Sequence, residues 1–99
     1  MSNQPPGPEF WNRVTAVINL SNDQCEAAVS NEVAASTMYA SARFSAFIVA
    51  QSTGNPDNMR AEKEHALDYF TDQFRKMLAE NIDDFAQNFD KYMAPTAQP

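Results

Sequence analysis

Glu62 and His65 are the first residues whose type and spacing suggest chemistry, a Glu-x-x-His pair within a helical pattern. In di-iron carboxylate bundles this i, i+3 spacing puts both ligands on one helix face, but two such motifs and further glutamates are needed. His65 is the only histidine, so only a symmetric dimer supplies the second copy. Glu62, Lys63, Glu64 and His65 form a polar run. We therefore read them as a solvated face, and no metal or other cofactor is expected.

Arg43 stands alone as a cation between Arg13 and Arg60, halfway along an otherwise apolar stretch. A guanidinium in such a place is paired or reaches water, because burying it unpaired is very costly. Asp68, Asp72, Glu32 and Asp23 are the candidate partners. The competing reading is a small-ligand site between the second and third helices, where Arg43 grips a carboxylate or phosphate and Tyr39, Ser41 and Ser45 supply hydroxyls. Thr37, Ser41 and Ser45 recur every four residues. Small hydroxyl residues at that spacing more often allow close helix packing and bond back to their own backbone. Cys25 is the single cysteine, which excludes an internal disulfide, and it reads as a small core residue. No serine or cysteine can be matched with a base and an orienting acid, so an enzyme is not expected.

Charge narrows the partners. Thirteen acids against seven bases give a net charge of −6. Arg75-Lys76 is the sole adjacent basic pair, and acids flank it. Such a surface repels phosphate backbones and anionic lipid, so neither nucleic acid nor membrane is an expected partner. The first residues carry no basic and apolar leader pattern, and the expected location is the cytoplasm.

The elements that position these residues are helices. Seven Phe and 43% hydrophobic residues identify a folding chain, and its length suits one domain. Pro8-Glu9 opens a first helix over 8–28, with Phe10, Val14, Val17, Ile18 and Cys25 on one stripe. A second helix over 32–51 is apolar nearly all round, which predicts a central helix packed on several sides. Asn55-Pro56-Asp57 is the clearest start signal, a cap residue followed by proline and an acid. From there Ala66, Phe70, Phe74, Met77 or Leu78, Ile82, Phe85, Phe89 and Met93 form a stripe uninterrupted by Gly or Pro. Two arrangements follow. Either one long helix spans 56–93, or Asn81 divides it into helices over 56–80 and 81–93. The expectation is an all-α bundle of three to four helices with a long or broken C-terminal helix. It forms a single domain over 8–94, between disordered tails at 1–7 and 95–99.

Phe10-Trp11-x-Arg13, Tyr39-Ala40-x-Ala42-Arg43-Phe44 and the run from Tyr69 to Phe85 resemble a bacterial family catalogued as domain of unknown function 3144. The resemblance covers most of residues 9–93. It implies a bacterial, cytoplasmic, helical protein standing alone as one domain, and no activity or ligand follows from it. The functional expectation is a non-enzymatic interaction or structural module acting as a homodimer. Its interface is expected on the last segment, at Ile82, Phe85, Phe89, Tyr92 and Met93.

Overall fold

In a computed structural model, residues 6–94 are described, and all regular structure among them is helical. Four helices follow in order: α1 (Pro8–Gln24), α2 (Ser30–Thr53), α3 (Pro56–Gln87) and α4 (Phe89–Met93). They fall into two compact units, residues 1–45 and 46–99. Of the tails expected at 1–7 and 95–99, all but residues 6–7 lie outside the described residues.

In the first unit, Gly7 caps α1 in an extended conformation and Pro8 takes the first helical position, where its missing N–H is no loss. Phe10 and Trp11 meet edge to face at 4.8 Å. Phe10, Val14, Ile18 and Ser21 are half-buried, one residue per turn. The helix stops four residues earlier than the apolar pattern suggested. The Cys25 N–H donates to the carbonyls of Ser21 and Asn22, and a turn follows. Cys25 is exposed there, a correction to its expected place in the core.

α2 opens at Ser30, and Val33 in its first turn is 7% exposed, the one buried hydrophobic among the described residues. The Thr37 hydroxyl donates to the Val33 carbonyl (2.8 Å) and lies 3.3 Å from the Ser21 hydroxyl, which ties α1 to α2. The hydroxyls thus turn to backbone and to a neighbouring helix, as small polar residues at helix contacts do. The expectation that α2 is covered on several sides does not hold. Met38, Tyr39 and Phe44 are exposed. A helix apolar all round needs cover on all sides. By length and composition α2 is also long and apolar enough to cross a membrane.

In the second unit, α2 ends as the Thr53 hydroxyl donates to the Val49 carbonyl (2.8 Å) and Gly54 turns left-handed at φ +79°. Asn55 then caps α3 as its sequence promised: its Oδ1 accepts the Asn58 N–H at 2.8 Å, with Pro56 in the first turn. α3 runs 32 residues, about 48 Å at 1.5 Å per residue. Asn81 does not divide it. Its side chain donates to the Met77 carbonyl at 2.8 Å inside an unbroken helix. The division falls instead at Asn88 (φ −115°, ψ 32°), leaving only the five residues of α4 beyond it.

Candidate functional site

One face of α3 carries a run of exposed apolar side chains. Residues three and four apart on a helix lie above one another. The series Arg60, Lys63, Leu67, Phe70, Phe74, Met77, Asn81 and Asp84 follows that spacing without a break. Leu78 and Ile82 extend its apolar part along one edge. Leu67, Phe70, Phe74, Met77, Leu78 and Ile82 are each 37–57% exposed. Together they form a contiguous exposed apolar strip. On the adjoining side of α3, Met59, Ala66 and Gln73 are half-buried at seven-residue intervals.

At the C-terminal end of this face, Asp84 gathers the side chains around the bend at Asn88. Its Oδ2 accepts the Tyr92 hydroxyl at 2.8 Å, and its Oδ1 accepts the Asn88 side-chain amide at 2.9 Å. The same amide also reaches the Asp84 backbone carbonyl at 3.1 Å. The Asn88 N–H still donates to the Asp84 carbonyl at 3.0 Å and the Tyr92 N–H to the Asn88 carbonyl at 3.1 Å, so the helix bends at Asn88 while those two backbone bonds are kept. Phe85 and Tyr92 then stack at 4.5 Å, and the Lys91 ammonium lies 5.6 Å from the Tyr92 ring centre. The Tyr92 phenol pKa is raised above its ordinary value, first by donating to Asp84, then by desolvation and by the carboxylate's charge.

The residues expected at the interface accordingly divide. Phe85 and Tyr92 are half-buried against each other, whereas Ile82, Phe89 and Met93 are exposed. Phe70, Phe74 and Met77 were legible as part of a stripe but not as its exposed part, and Leu67 stood outside that stripe, which began at Ala66. The bond from Tyr92 to Asp84 was not legible, because the two are eight residues apart, around a bend that no Gly or Pro announces.

The ligand candidates on α2 are not brought together. At 3.6 residues per turn Tyr39 and Arg43 share one side, and Ser41 and Ser45 take nearly the opposite side. Tyr39, Ser41 and Arg43 are exposed and Ser45 is half-buried. Asp72, an expected partner of Arg43, pairs with Lys76 at 3.0 Å instead. Glu62 and His65 do meet, Oε2 to Nδ1 at 3.2 Å on an exposed surface. Among the described residues no third histidine, cysteine or acid joins them in a metal-holding group. An open cavity of about 340 Å³ lies beside Glu62, lined also by Ser52, Thr53, Asn58 and Ala61.

These features define a class of protein: a short all-helical chain whose apolar surface is turned outward. Residues 10–86 match the family described as protein of unknown function (DUF3144), and the chain belongs to that family. It is similar to the protein NB7890A from Shewanella sp., whose NMR structure has 36% sequence identity to it. That likeness covers 94% of this chain and 97% of the other, with a TM-score of 0.73. No protein with a curated description matches.

Proposed function

We propose that the chain is a non-enzymatic self-association module of the bacterial cytoplasm, a homodimer joined through the exposed face of α3. One observation carries the reading. Among the described residues, eighteen large hydrophobic side chains are exposed, against a single buried one, Val33. Burying a Val, Leu, Ile, Phe or Met side chain contributes about 1.5–3 kcal/mol, so leaving the α3 series in water forgoes a large stabilisation that a partner restores. Exposed apolar patches of this extent mark interaction surfaces on folded proteins. Arg43 in the middle of α2 favours a protein partner over lipid, since a charge at mid-membrane is expensive.

Size-exclusion chromatography with light scattering tests the reading. The expected mass is twice the 11.1 kDa of the chain. A single-chain mass at micromolar concentration overturns it.

A further inference from the structure

The order of residues along the α3 face specifies how two copies meet. From Arg60 to Asp84 the face advances in steps of 3, 4, 3, 4, 3, 4 and 3, a series that is the same read backwards. All eight positions lie within the unbroken helix. Reversing a second copy about the midpoint therefore superposes position on position. Phe70 meets Phe74, Leu67 meets Met77, Lys63 meets Asn81 and Arg60 meets Asp84.

We infer that this surface binds a second copy of the same chain antiparallel, with the two-fold axis crossing α3 between Phe70 and Phe74. The inference rests on the self-association proposed above and adds its geometry. The chemistry of each pairing decides the direction. In the antiparallel arrangement the centre is aromatic and aliphatic, the next layer sets an ammonium beside an amide, and the outermost sets a guanidinium beside a carboxylate. In a parallel arrangement Arg60 would face Arg60, Lys63 would face Lys63 and Asp84 would face Asp84, like charges that oppose association.

The groups at the two ends remain available for that pairing. Arg60 is engaged by Asp57, at 3.1 Å in a solvent-exposed pair, the kind that contributes little. Each Asp84 carboxylate oxygen accepts one side-chain bond within the chain and has a further lone pair. An isologous interface of this kind is closed, so association stops at two copies.

Disulfide trapping separates direction from association. Cys25→Ser removes the native thiol, and Lys63→Cys or Asn81→Cys is placed on that background; both native side chains are exposed, so the fold is retained. Light scattering is recorded on each variant. Mixing and oxidising the two variants is expected to give a mixed disulfide dimer, position 63 of one copy joined to position 81 of the other. Its yield is expected to exceed that of self-linked Asn81→Cys by at least about tenfold. Self-linking of Asn81→Cys alone at the same yield overturns the antiparallel register and leaves the homodimer standing. A dimer in which neither combination links overturns the α3 register as well. A monomer throughout overturns the homodimer itself.

Discussion

The Tyr92 hydroxyl donates to Asp84 Oδ2 at 2.8 Å across the only bend between Pro56 and Met93. Through that bond α4 is tied to the helix it follows. Phe85 supplies the apolar half of the attachment by stacking on the same ring.

Tyr92→Phe removes the bond and keeps the ring stack. The expected result is faster amide hydrogen exchange over residues 89–93, with protection of residues 60–80 unchanged. Protection at 89–93 equal to that of the parent chain would mean that stacking alone holds α4.

The same contact sets a pH dependence. The Tyr92 pKa is raised in the folded chain, so its contribution is complete below the unfolded value of about 10 and is lost as pH rises through the folded value. Absorbance titration should find one of the three tyrosines ionising above the others. Asp84→Asn takes away the acceptor charge and should bring that phenol back toward the ordinary range.

Phe74 lies beside the proposed two-fold axis, where central aromatic anchors dominate association. Phe74→Lys is expected to weaken self-association by about 30-fold or more, the equivalent of ~2 kcal/mol. Sedimentation equilibrium measures this directly. Arg60→Glu should weaken the antiparallel pair less, since the exchange occurs at its rim.

Asn55 tests the reading of α3's start. Its Oδ1 accepts the Asn58 N–H, and Asn55→Ala is expected to cost about 1 kcal/mol. For a chain of this size that corresponds to a fall in Tm of roughly 4–8 °C, read by thermal circular dichroism. Gly54→Ala should also destabilise. Space is open around the glycine, but its φ of +79° is a conformation that a side chain disfavours.

Glu62 and His65 face water on an exposed turn. His65→Ala is expected to change stability by less than about 0.5 kcal/mol, as surface substitutions do. Added zinc should leave the parent Tm unmoved. A rise at micromolar zinc would restore the metal reading, since a ligand that binds only the folded state stabilises it.

Local signals in the sequence determined where helices begin and which faces are apolar. Pro8 and the Asn55-Pro56 pair mark their helices because capping and proline geometry act within a few residues. The 3–4 spacing from Arg60 to Asp84 is likewise a property of the chain alone, and with it the symmetry of the α3 face. The tertiary structure decided the rest. It moved the break from Asn81 to Asn88, because both asparagines can bond back to a carbonyl and only Asn88 also reaches a carboxylate that Tyr92 shares. It left α2 and the α3 stripe in water, although their composition reads as interior. Hydrophobicity dictates that a surface must be covered, but it does not name the cover. Only the arrangement of helices shows which apolar faces the chain closes for itself and which stay in water.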